Sequence, residues 1–178
     1  MTCSSRIRSM VYAAICAALI AVCAWISIPG PVPFTLQTFG IFLTLGLLGG
    51  RWGTTAVLVY ILMGAAGAPV FAGFKGGPGT LFGPTGGYIL GFLLSALLMW
   101  AMERYLGRGR GVLLSAMVLG LLLCYLFGTL WFMRLYTGGP MTFRGALMAC
   151  VIPYVPVDAL KLGLALFLTM RLRPHVKL

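Results

Sequence analysis

Near its C-terminal end the chain reads Pro156-Val-Asp-Ala-Leu-Lys-Leu-Gly-Leu-Ala-Leu-Phe-Leu-Thr-Met170. Its apolar side chains predict a membrane helix, in which each charged group costs roughly 3 kcal/mol even on lenient insertion scales. Asp158 and Lys161 are three residues apart, so on a helix they share one face and neutralise each other. Because a buried ion pair stabilises a fold only weakly, we interpret the pair as holding a polar ligand. A purely structural pair is the alternative.

The composition of the whole chain agrees with a membrane location. The sequence is 61% hydrophobic and 8% charged, and its mean hydropathy is +1.04. A soluble domain carries roughly 25% charged residues. The net charge of +11 would indicate nucleic acid in a soluble protein. Here the cations lie at the ends of apolar stretches, where they set topology and contact lipid head groups.

Apolar segments separated by Gly/Pro-rich or basic breaks predict an all-α, polytopic membrane protein with six transmembrane helices, in a single domain over residues 1–178. The first segment resembles a signal peptide but is long enough to span a bilayer. The second and third are short, on either side of Gly49-Gly-Arg51. A shorter helical piece is predicted over Thr142–Ile152. The six predicted helices are Ser9–Ile28, Thr38–Leu48, Gly53–Ala66, Tyr88–Glu103, Gly111–Phe132 and Pro156–Leu172.

The distribution of cations predicts the orientation. With six spans both termini face the same side, and that side holds nine cations against three on the other. The positive-inside rule places both termini in the cytoplasm. The nine are Arg6, Arg8, Arg51, Arg104, Arg108, Arg110, Arg171, Arg173 and Lys177; the three are Lys75, Arg134 and Arg144. Asp158 and Lys161 are then expected near the outer surface, where the helix N-terminal dipole favours a carboxylate.

Catalytic and metal chemistry find little support in the sequence. Five cysteines form no Cys-x-x-Cys pair, and the single histidine lies in the basic tail. Two acidic residues cannot supply an acid–base pair or a nucleophile with its base. We therefore predict no enzyme, no metal site and no cofactor, and any ATP-driven work must come from a partner.

A long glycine- and proline-rich stretch, Gly67–Gly87, predicts an outward-facing loop. It lacks the Gly-x4-Gly-Lys-Ser/Thr pattern of a phosphate-binding loop. About 20 residues without regular structure are typical of a lid or binding loop. We expect its rings to be buried, which argues against disorder, and we expect Lys75 to be simply solvated. The rings are those of Phe71, Phe74, Phe82 and Tyr88.

An earlier loop, Pro29–Phe39, places uncharged polar groups beside aromatic rings on the same outer side. Thr35, Gln37 and Thr38 offer donors and acceptors that suit a small ligand with an apolar body. The alternative is that Thr38 caps the second helix and Gln37 is solvated.

Helix 1 carries small residues at four-residue spacing, which permit close approach of another helix in lipid. Internal packing and docking of a partner subunit both fit this pattern. The two registers are Ala13, Ala17 and Ala21, and Ala14 and Ala18.

Four segments together resemble the BioY family, the substrate-binding S components for biotin of energy-coupling factor (ECF) transporters. The likeness extends to the Pro156-x-Asp158-x-x-Lys161 segment and covers most of residues 29–92, whereas helices 1 and 5 match only in hydrophobic character. The four segments are Pro33-Phe-Thr-Leu-Gln-Thr-Phe39, Gly49-Gly-Arg-Trp-Gly53, Gly64-Ala-Ala-Gly-Ala-Pro-Val-Phe-Ala-Gly73 and Gly83-Pro-Thr-Gly-Gly-Tyr-Ile-Leu-Gly-Phe92.

The resemblance implies a six-helix bundle with a biotin pocket near the outer face, closed by the long loops. It also implies that the helix 1 alanines dock a transmembrane coupling subunit, which carries two ATPases. The ureido ring of biotin needs hydrogen-bond donors and acceptors, its thiophane ring and valerate chain need apolar walls, and its carboxylate needs a cation. We assign Lys161 to the carboxylate, and Asp158 to the ureido N–H groups or to holding Lys161. Weaker candidates are Gln37, Thr35, Tyr88 and Phe74.

Two other functions stay open. A solitary or proton-coupled secondary biotin transporter would use Asp158 as its proton carrier. A structural or assembly membrane protein would bind no vitamin at all.

Overall fold

The computed structural model describes residues 3–30, 32–136 and 142–176. Within these ranges the chain is predominantly helical, which confirms the all-α prediction. Strands β1 (Ser27–Ile28) and β2 (Phe34–Thr35) pair antiparallel, and short 3-10 turns occur at Ala72–Phe74 and Arg173–His175. The helices are α1 Cys3–Trp25, α2 Gln37–Ala65, α3 Pro78–Leu81, α4 Gly86–Leu106, α5 Arg110–Leu135, α6 Phe143–Cys150 and α7 Val155–Leu172.

Helix α2 lies at the centre of the bundle. It packs against α1, α4 and α7, while α4 also packs along α5. Its apolar side chains, with few polar interruptions, match this position, because a helix contacted on several sides is hydrophobic around its circumference. The core includes Phe42, Leu45 and Tyr60 of α2, with Ile20 of α1 and Met117 of α5.

Helix α2 reverses direction at Gly49, as the predicted break between helices 2 and 3 requires. Gly49 has φ 75° and ψ 174°, a backbone conformation that glycine adopts without steric cost. A methyl group placed on Gly53 would lie 2.9 Å from the Cα of Leu45. Eight residues of unbroken helix rise about 12 Å. The two halves of α2 therefore fold back on each other.

The reversal is fixed to α4 by Glu103, one of the two acidic residues of the chain. Its Oε2 accepts the backbone N–H of Gly50 at 2.7 Å and pairs with Nε of Arg108 at 3.3 Å. The N–H of Gly50 opens the second half of α2, so the carboxylate satisfies a donor that has no partner within the helix. Glycine is the only residue type that fits at position 50, because a Cβ there would lie 2.3 Å from the Cα of Trp100.

Several helices are long and apolar enough to cross a membrane. By length and composition they are Ser5–Trp25, α2, α4 and α5, and the pair Phe143–Cys150 and Val155–His175, bent by 53°, forms a fifth candidate. The protein is a multi-pass membrane protein. Each half of α2 alone is shorter than the about 20 residues of a straight span. The count of six spans therefore stays a prediction.

The structure corrects the predicted end of helix 1 and the expectation that the loop after helix 3 has no regular structure. Helix α1 ends at Trp25 rather than Ile28, because Ser27 and Ile28 pair with Thr35 and Phe34 in the β1–β2 hairpin. The loop over residues 66–85, called here the glycine-rich loop, contains a 3-10 turn and the helical turn α3 rather than irregular backbone alone.

Candidate ligand-binding site

A cavity of about 350 Å³ opens at one end of the bundle. Helices α2, α4 and α7 begin at this end, and α1 and α5 run towards it. The β1–β2 hairpin and the glycine-rich loop both contribute to its wall. The opposite end holds the Gly49 reversal, and there Ala13 of α1, Leu48 and Val176 belong to one packed cluster. The described parts of the two chain ends therefore meet away from the cavity.

Asp158 and Lys161 lie on the cavity wall and form the predicted ion pair. Lys161 Nζ donates to Asp158 Oδ1 at 2.8 Å, and the residues are 7% and 4% exposed. Both occupy the first turns of α7, which begins next to Pro156. The carboxylate thus sits at a helix N-terminus, where the macrodipole favours negative charge. The pair brings a neutralised but strongly polar group into an apolar interior.

Tyr125 of α5 completes this group, and the sequence did not single it out. Its hydroxyl donates to Asp158 Oδ2 at 2.5 Å, so both carboxylate oxygens have protein donors. A phenol hydroxyl inside an apolar span must find a partner. The sequence held no signal for this contact, because only the packing of α5 near α7 brings the hydroxyl to Asp158.

The hairpin is tied to α7 by contacts from Lys161 and Tyr154. Lys161 Nζ donates to the carbonyl of Thr35 at 2.7 Å and lies 4.0 Å from the centre of the Phe34 ring. The Tyr154 hydroxyl donates to the carbonyl of Val32 at 2.5 Å, and its ring stacks on Phe34. Cation–π and charge-assisted contacts strengthen when desolvated. The same ammonium therefore contacts the acid and the loop.

Thr35, Gln37 and Thr38 all line the cavity. Gln37 is 5% exposed, and its Nε2 has no hydrogen-bond partner within the described protein. The alternative of a solvated Gln37 is therefore wrong. Thr38 does not cap α2 either, because the N-cap position belongs to Leu36. The Thr35 hydroxyl instead accepts the backbone N–H of Gln37, the first residue of α2, at 3.2 Å.

Tyr88 also lies on the cavity wall, at the start of α4. Its hydroxyl is 3.2 Å from that of Thr129, and its carbonyl accepts from the Cys124 thiol at 3.4 Å. Gly128 permits this packing, since a Cβ there would lie 2.3 Å from the Tyr88 ring. Tyr88 thus presents ring surface, with its hydroxyl already bonded to α5.

Phe74 differs from the other predicted site residues. It is 64% exposed, does not line the cavity and stacks on Trp25 at 5.2 Å. Phe82 is equally exposed, so the expectation that all four loop rings are buried was wrong for Phe74 and Phe82. Phe74 stacks on Trp25 of α1 on the outside of the bundle and does not insert into the cavity. Lys75 is exposed as expected, but the cavity wall includes it.

The two alanine registers of α1 have opposite environments. Ala13, Ala17 and Ala21 are buried against the rest of the bundle, at 4% exposure or less. This register fills the α1–α2 contact and has no surface for a partner, contrary to the expectation that it docks one. Ala14 and Ala18 are exposed. Close packing of α1 on α2 uses the first register and leaves the second free.

The described residues contain no group of three or more His, Cys, Asp or Glu side chains that could hold a metal ion. The cavity chemistry is that of a charged pair, amide and hydroxyl groups, and apolar walls. Such a combination suits an organic ligand that carries a few polar groups.

Comparison with known proteins identifies the family. The BioY family model matches residues 1–178. "Biotin transporter BioY" of Thermotoga maritima is 43% identical over 167 residues, covering 93% of this chain and 96% of its own. "Probable biotin transporter BioY" of Pyrococcus horikoshii is 40% identical over 157 residues, covering 88% and 90%. The crystal structure of the S component for biotin from an ECF-type ABC transporter matches with a TM-score of 0.87 at 27% identity, covering 98% of this chain and 95% of that one. The chain belongs to the BioY family.

Proposed function

We propose that this chain is the high-affinity biotin-binding S component of a vitamin uptake transporter, which imports biotin with energy from partner ATPases. The observation that carries the proposal is the Asp158–Lys161 pair, buried on the wall of a 350 Å³ cavity, in a member of the BioY family. Ligand pockets are typically about 300–1,000 Å³, with apolar walls and a few placed polar groups.

The cavity offers a match for each part of biotin. Ile89, Phe92 and Phe71 supply apolar wall for the thiophane ring and valerate chain. The ureido ring needs donors and acceptors, and the unpartnered Nε2 of Gln37 is a donor available to its carbonyl. Asp158 accepts from the ureido N–H groups or holds Lys161. In this arrangement Lys161 binds the carboxylate.

A second cation on the wall allows the reverse orientation. Lys161 already contacts Asp158 and the Thr35 carbonyl, so part of its donor capacity is used. Lys75 is exposed on the glycine-rich loop at the same cavity. In the reverse orientation the carboxylate pairs with Lys75, and the ureido ring contacts Asp158 and Lys161.

Titration of the purified chain in detergent tests the proposal. We expect biotin to bind with a defined stoichiometry and to raise the melting temperature, because a ligand that binds only the folded state stabilises it. Thiamine and riboflavin serve as controls and should do neither. A chain that responds equally to all three vitamins, or to none, would contradict the proposal.

Tyr125→Phe should weaken biotin binding by at least about tenfold, because Asp158 loses a donor that holds it in place and a hydrogen bond to a charged group contributes about 1.5–3 kcal/mol. The substitution removes only the hydroxyl that donates to Asp158, and the ring keeps its packing. Isothermal titration of the variant against the parent measures the change. Tyr136→Phe is the matched control, because Tyr136 lies outside the cavity wall and should bind biotin unchanged. Equal biotin affinity of Tyr125→Phe and the parent would show that biotin binding does not depend on the Tyr125–Asp158 hydrogen bond.

Coupling to ATP hydrolysis requires partner subunits, because binding energy alone cannot release a tightly held ligand on the inner side. We propose a transmembrane coupling subunit with two ATPases as partners, and the exposed register of Ala14 and Ala18 as its docking surface. The proposed mechanism is a tilting of the whole helical body during the ATPase cycle. The chain itself has no enzymatic role in this scheme and needs no cofactor.

We propose a single transmembrane domain over residues 1–178 in the cytoplasmic membrane, with both termini in the cytoplasm. Support comes from the cations, which the sequence concentrates at the helix ends opposite the cavity. The positive-inside rule then places the cavity at the outer surface.

A proton-coupled secondary transporter makes a different prediction. It would take up biotin into vesicles that lack ATPase subunits, and dissipating the proton gradient would abolish uptake. Under the S-component proposal, uptake requires the ATPases and persists when the gradient is dissipated.

A further inference from the structure

One residue of the glycine-rich loop has a backbone conformation that its side chain disfavours. Phe74 has a φ of 56°, and among the described residues it is the only one other than glycine with a positive φ. Gly73 before it has φ 68° and ψ 30°. Turns with two successive positive φ values favour asparagine, aspartate and glycine at these positions, and a bulky residue there is a steric outlier. Phe74 therefore occupies a position at which glycine would be unstrained.

The turn that contains Phe74 forms part of the cavity wall. The backbone N–H of Phe71 donates to the carbonyl of Lys75 at 2.9 Å, which closes the turn. We call residues 72–75 the loop tip. Three of its four residues line the cavity, namely Ala72, Gly73 and Lys75. The position of the loop tip therefore determines part of the enclosure of the cavity.

The ring of Phe74 lies against α1 and not in the cavity. Phe74 is 64% exposed, so its ring does not fill the core. It stacks on the ring of Trp25, with 5.2 Å between the centroids and 25° between the planes. Trp25 is the last residue of α1, and its Nε1 also donates to the carbonyl of Pro69 at 2.7 Å. Two contacts from one indole thus join the end of α1 to the loop.

Tyr60 and Trp25 hold different parts of the loop. The Tyr60 hydroxyl donates to the carbonyl of Val70 at 3.2 Å, and its ring lies edge-on to the buried ring of Phe71. These contacts fix the loop to the core as far as Phe71. Beyond that residue, the aromatic stack stabilises the loop tip, whereas the positive φ of Phe74 disfavours the same conformation. Two opposing contributions therefore set the position of the tip.

We propose that Trp25 and Phe74 form a latch, which holds the loop tip against the biotin cavity until the two rings separate. Once they separate, Phe74 leaves its positive φ and the tip moves off the cavity wall. The stack favours the closed tip and the strain favours the open one, so a small change at the end of α1 shifts the population between the two states. The inference rests on the proposed function, because biotin is the ligand that the tip encloses.

The rate at which the purified chain releases biotin in detergent tests the latch. Excess unlabelled biotin is added to the chain loaded with radiolabelled biotin, and the loss of bound label is followed. Trp25→Ala and Phe74→Ala should each release biotin about fivefold faster than the parent, because each loses the aromatic stack. The double variant should release it no faster than the single variants, because the two rings act through one contact. Additive effects, or release at the parent rate, would overturn the latch.

Two further variants separate the latch from other effects of an exposed ring. Phe74→Gly also removes the ring, but glycine adopts a positive φ without steric cost. It should therefore release biotin more slowly than Phe74→Ala, and equal rates would overturn the role of strain. Phe82→Ala is the matched control, because Phe82 belongs to the same loop, is also 64% exposed and does not line the cavity. It should release biotin at the parent rate. Release as fast as that of Phe74→Ala would overturn the latch.

Hydrogen–deuterium exchange of the biotin-free chain provides a measurement that does not need the ligand. The N–H of Phe71, which closes the turn, should exchange about fivefold faster in Trp25→Ala and Phe74→Ala than in the parent. Phe82→Ala should exchange at the parent rate. Faster exchange in a chain that does not bind biotin would support the latch and contradict the proposed function. Unchanged exchange in both latch variants would overturn the latch, whether or not the chain binds biotin.

Discussion

Lys161→Met is expected to weaken biotin binding by at least about tenfold, because the variant loses a charge-assisted contact of about 1.5–3 kcal/mol. The same change leaves the Asp158 carboxylate buried with Tyr125 as its remaining donor. Removing one partner of a buried ion pair typically costs about 3–5 kcal/mol of stability. We therefore expect a lower melting temperature as well as weaker binding.

Stability and binding separate in the double variant. Asp158→Asn alone leaves the Lys161 ammonium without its counter-charge. We expect losses of stability and of biotin affinity similar to those of Lys161→Met. Asp158→Asn/Lys161→Met removes both charges and should recover much of the stability, since no buried charge is left unpaired. Its biotin affinity should stay low. Variants that titrate biotin like the parent would show that the pair is purely structural.

The neutral methyl ester of biotin distinguishes the two ligand orientations. If Lys161 binds the carboxylate, Lys161→Met and the parent should bind the methyl ester with nearly equal affinity. If Lys75 binds it, Lys75→Gln should weaken biotin binding and leave ester binding unchanged. Lys75 is exposed, so its substitution should not affect folding.

Ala14→Leu/Ala18→Leu should abolish biotin uptake by the assembled transporter while leaving biotin binding to the isolated chain intact. Both alanines are exposed on α1, and small residues at four-residue spacing permit close helix contact in lipid. Two isobutyl groups would hold a partner helix away from that face. Co-purification with the coupling subunit and uptake in cells measure the two losses.

Ala101→Leu is the matched control, because Ala101 is an exposed alanine on α4. It should assemble and transport normally. Ala17→Leu tests the buried register, since Ala17 is 1% exposed and overpacking a filled interface costs typically about 1–3 kcal/mol. We expect that variant to be unstable. Normal uptake by the Ala14→Leu/Ala18→Leu variant would place the docking surface elsewhere.

The helical architecture was predictable where the sequence interrupts its own apolar pattern. The Gly49-Gly-Arg51 break marks a real reversal, because Gly49 adopts a positive φ that other residues avoid. The end of α1 was not predictable from hydropathy. Ile26 and Ile28 continue the apolar run beyond Trp25. The strand pairing of Ser27 and Ile28 depends on Thr35 and Phe34, which lie beyond a proline-rich turn. The β1–β2 pairing, and not the local hydropathy pattern, therefore determines where α1 ends.

The charged part of the site was predictable, because charged residues are rare inside membrane-spanning segments. Asp158 and Lys161 stood out for that reason, and the structure places them on the cavity wall. Tyr125 did not, because a tyrosine within a run of leucines has no periodic signal, and only the fold brings α5 to α7. Phe74 looked like a pocket residue by composition, yet it stacks on the Trp25 ring outside the cavity wall and stays largely exposed. The alanine registers are equivalent in sequence, and only packing against α2 distinguishes them.

The contact of Lys161 with the Thr35 carbonyl has a kinetic consequence. One ammonium contacts both the acid inside the cavity and the hairpin that forms part of its wall. A substitution of Lys161 therefore changes the ligand contacts and the closure of the cavity together. A change that loosens Lys161 also removes one of the contacts that hold the hairpin in place, which makes it easier for an exit to open. Its effect should therefore appear chiefly as a shorter residence time of the guest, with the rate of capture nearly unaltered.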